Sequence, residues 1–368
     1  QGITWLREHA SFVDPHTLRV GSTEHTSDRF VICSGSKSVI PQLEGLDSVD
    51  YITSDGAFEL KDLPRSIAIV GTGTISCEFA SFFRAFGTEV TVVGRRLLPR
   101  EDEDLTDSLA ASFEKRGIRI VSGRAQAVGA TGSRKWVSTA NGQRAEADLL
   151  MLAAGRRPYL EGLNLDAAGV DSTDIGITVD EHMRTSAAHI WAAGDVTGPP
   201  MYTHAGDYAA EIAGWNAVHS RDRKKVDWRV IPRPVFSFPE FAAVGLTEEQ
   251  ARKSEDVEVS RVRFDEVTKP IIDRETEGFV KVIARSSDGQ ILGAGIVGTE
   301  ATSLISELVV AMAGRVSAWT VGDAIHAYPT LPEMVRWTAD QIGKHREHDG
   351  HGAHCITDIT EPKLMEEL

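Results

Sequence analysis

Cysteine is scarce in this chain: Cys33, Cys77 and Cys355 are the three among 368 residues. An odd, widely spaced set builds no disulfide framework, and no two of them have the short spacing of a redox-active dithiol. A reducing, cytoplasmic setting is the expectation. Long apolar runs are missing too. No stretch approaches the ~20 apolar residues that a membrane-spanning helix needs, so no membrane partner is expected. Basic residues are outnumbered, 39 Lys and Arg against 54 Asp and Glu, leaving a formal charge of −15. That balance argues against a nucleic-acid partner, which needs a basic face. The chain opens on Gln1 with no signal-peptide pattern. Its native N-terminus is expected to lie upstream.

What is present is enough chain and apolar content for two or three domains, each with its own core. Residues 3–33 read as short strands with turns, ending in the apolar run Arg29-Phe30-Val31-Ile32-Cys33. From Ser66 the texture becomes alternating strand and helix: a strand over 66–70, a helix near 74–86 closed by Gly87, and a strand over 89–93. A helix near 103–116 follows, with Leu105, Leu109 and Phe113 four apart, and Gly117 ends it. A hairpin is expected around Asn141-Gly142, and a strand over 148–153. This alternation predicts a parallel sheet covered by helices. A helix near 205–219 lies in the next segment. From Ile231 the pattern is α+β, with strands expected at 235–238, 242–245, 278–283 and 291–297, and helices near 300–314 and 330–342.

The most informative run is Ile67-Ala68-Ile69-Val70-Gly71-Thr72-Gly73-Thr74-Ile75-Ser76-Cys77-Glu78. An apolar strand enters a tight Gly turn and an apolar helix leaves it, so backbone N–H groups at a helix N-terminus can meet a pyrophosphate. Ser76 supplies the small residue that close helix–strand packing needs at the third position. Downstream, Ile190-Trp191-Ala192-Ala193-Gly194-Asp195-Val196 is a second nucleotide-type signal. Two signals on one chain point to electron transfer between two cofactors. The end of the second strand reads Gly94-Arg95-Arg96. An NAD site places a carboxylate there for the ribose hydroxyls. Two guanidinium groups instead suit a 2′-phosphate, which predicts NADP(H); the alternative is that Arg95 and Arg96 are solvated surface charges.

Several blocks resemble, in order, the pyridine nucleotide–disulfide oxidoreductases, the family of glutathione reductase, dihydrolipoamide dehydrogenase and mercuric reductase. They are Cys33-Ser34-Gly35-Ser36, the Gly71–Glu78 turn, Ala153-Ala154-Gly155-Arg156-Arg157-Pro158, Ala193-Gly194-Asp195-Val196, Pro239–Thr247, Thr276–Lys281 and Tyr328-Pro329-Thr330-Leu331-Pro332-Glu333. The resemblance spans about residues 1–342 and implies an α/β fold: a Rossmann-like NAD(P) domain inserted in a split FAD domain, followed by an α+β dimerisation domain. The boundaries expected are 1–63 for the first part of the FAD domain and 64–156 for the NAD(P) domain. The second FAD part takes 157–229, the dimerisation domain 230–344, and a polar His-rich tail 345–368.

The resemblance also implies roles. NADP(H) would lie at Gly71, Gly73, Ser76, Glu78, Arg95 and Arg96, with Gly155 against it. FAD would lie at Gly35, Gly194 and Asp195, the last bonding the ribityl chain, and near Thr203 and Ala205 at a helix start. Taken alone, Asp195 could be a turn residue, Gly155 a strand-ending Gly and Thr203 an ordinary N-cap. In this family a first FAD-binding G-x-G-x-x-G and a redox-active Cys-x-x-x-x-Cys precede the part that Gln1 matches. Neither occurs in the sequence, so the chain looks like a member lacking its first portion.

Members that act on disulfides place His five residues before a Glu. Here Glu333 is matched by Tyr328, whose phenol titrates near ~10. Tyr328 and Glu333 are the candidate catalytic pair, with His326 two residues away. Tyr at this position is similar to mercuric reductases and to soluble transhydrogenases. The Arg95–Asp102 segment and Thr74, in place of a common Tyr, favour the former. Tyr328 could equally be an aromatic packed at a dimer interface, and Glu333 a helix N-terminal charge. The tail carries His345, His348, His351, His354 and Cys355, suited to a transition metal or to plain solvation; no metal site is assigned. The expected function is a mercuric-reductase-like NADPH oxidoreductase, a homodimer passing hydride through flavin to a dithiol and on to a metal-thiolate or disulfide substrate. Dihydrolipoamide dehydrogenase or transhydrogenase activity, and a non-catalytic nucleotide-binding dimer, are the alternatives.

Overall fold

A computed structural model describes residues 2–343. The tail histidines and Cys355 lie outside the described residues. The chain begins with a three-stranded antiparallel sheet, β1 (Ala10–Asp14), β2 (Thr17–Val20) and β3 (Thr23–Thr26), then the short strands β4 (Phe30–Ile32) and β5 (Ser36–Ser38). A single turn, α1 (Ser54–Ala57), leads into the nucleotide-type layer.

That layer holds β6 (Ser66–Val70), α2 (Thr74–Ala85), β7 (Glu89–Gly94), α3 (Glu103–Lys115) and β8 (Arg119–Ser122), then β9 (Ala125–Thr131), β10 (Arg134–Thr139), β11 (Arg144–Ala147) and β12 (Leu149–Leu152). Strands β12, β6, β7 and β8 form a four-stranded, all-parallel sheet in that order. Every residue of β6 is buried, as expected of a strand covered on both sides. Alternate side chains serve different cores. Ile67 and Ile69 pack with Cys77, Ala80, Phe83, Leu109 and Phe113 of the helices. Ala68 and Val70 pack with Val128, Val137 and Ala145 of the antiparallel sheet β11-β10-β9. Helices thus cover one face only; the expected helical cover on the other is replaced by this sheet, whose strands alternate between buried and exposed positions.

The chain then returns to its beginning. After β13 (Arg156–Pro158), β14 (Ser172–Thr173) and β15 (Gly176–Ile177), strand β16 (Ile190–Ala192) runs parallel to β4, with Ile190, Trp191 and Ala192 opposite Phe30, Val31 and Ile32. β13 pairs with β5. Segments on either side of the nucleotide-type layer therefore share one core, with Phe12, Phe30, Ile32, Ile190 and Val196 in contact. Helix α4 (Thr203–Val218) closes this body.

The C-terminal sheet has the order β17 (Arg233–Val235), β18 (Glu240–Gly245), β21 (Ile291–Gly298), β20 (Phe279–Arg285) and β19 (Val257–Arg263), all antiparallel. Around it lie α5 (Glu248–Ser254), α6 (Thr268–Asp273), α7 (Ala301–Ala313), α8 (Ala318–Asp323) and α9 (Glu333–Asp340). Period-two alternation again divides the side chains. Ala242, Val244 and Ile296 pack against α7 and α9. Phe241, Ala243 and Val297 enter the core of α2 and α3. The strand expected over 235–238 ends at Val235. Beyond it the backbone turns to α2: Phe236 N–H bonds the Glu78 carboxylate at 3.0 Å and Phe238 N–H the Ser81 hydroxyl at 3.0 Å. Strand β19 and helix α8 were not foreseen.

An ionic seam joins the two layers. Lys281 on β20 is 1% exposed, and its ammonium lies 3.4 Å from Asp102, 3.0 Å from Asp104 and 2.9 Å from Glu248. Arg261 pairs with Asp104 at 2.7 Å and Glu248 at 2.6 Å. Asp102 sits at the N-cap of α3 but spends a carboxylate oxygen on Glu248 N–H at 2.9 Å rather than on its own helix. Burial alone would raise the Glu248 pKa. Hydrogen bonds from Lys281 and Arg252 outweigh it and pull the value to about 2.

Removing the buried cation leaves three carboxylates facing one another. Lys281→Met is expected to cost about 3–5 kcal/mol, read from the urea midpoint. The Glu248 contribution is complete above the ordinary carboxylate range near ~4.3 and is lost as pH falls toward 2. Acid titration of the melting temperature of Glu248→Gln against the parent tests that window: the two curves should converge at its acid end.

Candidate nucleotide and flavin site

The Gly turn is built by close approach. Gly71 has φ 129°, and a Cβ there would stand 2.1 Å from the Ala153 carbonyl oxygen. Only glycine fits both demands. Gly71 N–H bonds the Val93 carbonyl at 2.9 Å, which ties the turn to the neighbouring strand. Ser76 is fully buried, its hydroxyl 3.5 Å from the same Ala153 oxygen. Gly73 is the N-cap of α2, with φ −81° and no side-chain cap. A Cβ added there would meet nothing within 4 Å. The first N–H groups of α2 therefore face open space, the arrangement that receives a pyrophosphate.

Two arginines at the end of β7 stand in different surroundings. Arg95 is exposed and, among the described residues, has no ion pair. Arg96 folds back: its Nη2 lies 3.2 Å from both the Pro99 and Glu101 carbonyls, and its Nη1 3.6 Å from Glu103. Gly94 is kept small by Thr72, whose Cγ2 lies 2.3 Å from where a Cβ would stand. Glu78 is tied to the loop after β17. Its carboxylate accepts Phe236 N–H, and burial raises its pKa despite that bond.

On the other side of the cleft, Asp195 lies in a single 3-10 turn that begins at Gly194, φ 77°. Its Oδ2 accepts the Ser36 hydroxyl at 2.5 Å. Arg156 Nε donates to the same hydroxyl at 2.7 Å and Nη2 to the Ser36 carbonyl at 2.8 Å. Gly155, φ 122°, accepts Val39 N–H on its carbonyl at 2.9 Å and has no atom within 4 Å of a Cβ position. Gly35, φ 73°, accepts Tyr159 N–H at 2.9 Å. Thus one short segment, Ala153–Arg156, touches the Gly71 turn at its start and the Ser36–Asp195 network at its end. Ser36 and Arg156 were not singled out in the sequence; both lie inside blocks that were.

Helix α4 starts at Thr203, but Tyr202 holds the N-cap position, so Thr203 is not the cap. Ala205 is buried and lines, with Gly194, Thr197 and Gly206, a cavity of about 310 Å³. Gly194 and Gly206 let the two backbones approach: a Cβ on Gly206 would lie 3.4 Å from the Gly194 Cα. The Tyr202 phenol is pushed up, first by burial and then by the Glu101 charge, while a bond to Thr74 opposes this.

The C-terminal candidates separate. Tyr328 is 72% exposed and Glu333 is 5% exposed, with Glu333 Oε2 accepting Thr330 N–H at 3.0 Å. No hydrogen bond joins them. His326 does not stand in for the missing imidazole beside Glu333; its Nε2 pairs with Glu307 of α7 at 2.8 Å. The described cysteines are free, Cys33 exposed and Cys77 buried, and burial raises both thiols.

The family model described as pyridine nucleotide-disulphide oxidoreductase matches residues 1–210, and that of its dimerisation domain matches residues 231–339. The chain belongs to the pyridine nucleotide-disulphide oxidoreductases. Members of this family bind FAD and depend on NAD(P)H. A mercuric reductase of Staphylococcus aureus is 34% identical over 346 residues, 92% of this chain and 63% of the relative. A dihydrolipoyl dehydrogenase of Bacillus subtilis is 34% identical over 336 residues, 89% of this chain and 73% of the relative. Among solved structures, the Cu(II) complex of the HOCl-induced flavoprotein disulfide reductase RclA from Escherichia coli superposes with TM-score 0.85 at 28% identity, covering 91% of this chain and 78% of that one. The chain spans 54–63% of the length of three mercuric reductases that it matches.

The two turn glycines should separate folding from binding. Gly71→Ala is expected to cost about 2 kcal/mol or more, from strain and collision. Gly73→Ala has room and an ordinary φ, so its stability should change by less than about 1 kcal/mol. If the start of α2 receives a pyrophosphate, as such helix N-termini can, the added methyl group should nonetheless weaken NADPH binding. Thermal melts and calorimetric titration of both variants check this.

Proposed function

We propose that this chain carries the nucleotide-binding and dimer-forming parts of a flavin-dependent NADPH oxidoreductase of the mercuric-reductase-like kind. The observation that supports the reading is the Ala153–Arg156 segment, which touches the Gly71 turn at its start and the Ser36–Asp195 network at its end. When bound, NADPH supplies a hydride that FAD accepts. The chain's own residues bind and orient. The N–H groups of α2 beyond Gly73 take the pyrophosphate, and Arg95, free of ion pairs, takes the 2′-phosphate. Gly155 leaves bare backbone along the nicotinamide end. Asp195, held by the Ser36 hydroxyl that Arg156 in turn fixes, keeps an oxygen for a ribityl hydroxyl. The residues present fit both groups at the parts of the site they form.

The electron acceptor in this reading is a dithiol that passes reducing equivalents to a metal-thiolate or a disulfide. Resemblance to mercuric reductases supports the former, and the exposed Tyr328 offers a polarisable face without competing as a base. A homodimer through the 230–344 domain is part of the proposal. Its support is the exposed apolar residues of this domain, Val310 on α7 at 70%, Ile325 at 100% and Tyr328 at 72% exposure. Among the described residues no helix is long and apolar enough to cross a membrane.

Arg95→Glu should lower NADPH affinity at least about tenfold and spare NADH, since a carboxylate replaces the donor facing the phosphate. Calorimetric titration with both nucleotides reads it; retention of the NADPH preference overturns the assignment. Light scattering of Ile325→Asp against the parent tests the dimer, with a halved mass expected.

A further inference from the structure

The stretch after β7 is tied down at both ends. Leu98 N–H bonds the Thr72 carbonyl at 2.8 Å, which presses the middle of the stretch against the Gly turn. Three residues on, Glu101 reaches out of the nucleotide layer. Its two carboxylate oxygens accept Nε and Nη2 of Arg233 at 2.7 and 2.8 Å. Arg233 is the first residue of β17, and its Nη1 donates to the Gly245 carbonyl at 3.1 Å. The guanidinium is therefore fixed on three sides by the C-terminal sheet and the loop. The pair is withdrawn from solvent, with side chains 25% and 10% exposed.

Glu101 serves two guanidinium groups at once. Its carbonyl lies 3.2 Å from Arg96 Nη2 while its carboxylate holds Arg233. The other charged or titratable groups that act on this cluster are Arg100, Asp102 and the Tyr202 phenol. Burial works against the Arg233 charge, and the Glu101 hydrogen bonds and field outweigh it, so its pKa is held above the ordinary arginine value.

We propose that Arg233 is a positioning residue for nucleotide selectivity: it holds the Glu101 carboxylate away from Arg95 and Arg96, leaving their positive charge for a 2′-phosphate. This rests on the reading that NADPH occupies the Gly71–Arg96 site. Without Arg233, cations remain to Glu101 on its own loop: Arg96, whose Nη2 already lies 3.2 Å from the Glu101 carbonyl, and its chain neighbour Arg100. The freed carboxylate then competes with phosphate for those donors and repels it. A carboxylate close to the end of this strand is also what an NAD site uses for ribose hydroxyls. Loss of Arg233 therefore moves the site from phosphate acceptance toward the unphosphorylated nucleotide. A cation on the dimerisation-type sheet governs a choice made in the nucleotide layer.

The experiment titrates NADPH and NADH calorimetrically into the parent protein, Arg233→Met, Glu101→Gln and the double variant. Arg233→Met is expected to lose NADPH affinity about tenfold more than NADH affinity, the scale of one unpaired charge in partly screened surroundings. The double variant should regain most of that difference, because the offending charge is gone. Equal loss for both nucleotides, or no recovery in the double variant, overturns the inference and leaves Arg233 with a fold-holding role only. If Arg233→Met does not fold, Arg233→Lys keeps the charge and loses the two-pronged contact; a smaller selectivity loss is expected, and none overturns the inference. A parent protein that binds NADPH no better than NADH overturns the underlying nucleotide assignment itself, and this inference with it.

Discussion

The structure hangs on the contact between the Gly71 turn and the carbonyl of Ala153. It forces β6 and β12 to end side by side, directs α2 away at a fixed angle, and leaves the helix N-terminus without a side-chain cap. Because Ala153 starts the segment that ends in Arg156, the same contact fixes where the Ser36–Asp195 network stands. The Gly turn and the Ser36–Asp195 network are registered to each other by four residues of backbone. No bulky side chain is available to relax that register, since the positions in question carry only Ala and Gly before Arg156.

The second constraint is the welding of the nucleotide layer to the C-terminal sheet. Phe241, Ala243 and Val297 enter the same core as Phe83, Leu109 and Phe113. Along the edge of that core run the Lys281 and Arg261 ion pairs. Buried charge of this kind contributes little net stability, because desolvation offsets attraction. Its effect is on geometry: a charged group without its partner is costly, so the alternatives in which the two layers slide are penalised. The apolar contact supplies the affinity and the ions supply the register.

Much of this was legible in the sequence, for identifiable reasons. β6, α2, β7 and α3 were read because apolar periodicity and the punctuating Gly71, Gly87 and Gly117 agree, and each of those glycines has positive φ. The Gly turn was readable because its requirement is local: a positive φ and no Cβ. The missing parts depend on distant partners. The strand beginning at Arg233 was placed too late and run too far, because Phe236 and Phe238 look strand-like, yet their N–H groups are claimed by Glu78 and Ser81 on α2. Strand β19 carries Glu258, Arg261 and Arg263 among its valines, and the place of Arg261 is explained only by carboxylates that come from α3 and α5. The pairing of Tyr328 with Glu333 was carried over from the family resemblance. Five residues apart in the chain, they lie in opposite environments, one in solvent and one under the start of α9.

One close contact bears on how the molecule breathes. A Cβ on Gly295 would stand 2.1 Å from a methyl carbon of Leu105, so the α3 side chain is seated in a notch of the C-terminal sheet. A knob held in a notch resists both rotation and shear. Sliding one slab past the other would have to unseat this side chain, so the nucleotide-type layer and the C-terminal sheet are held to move as one piece.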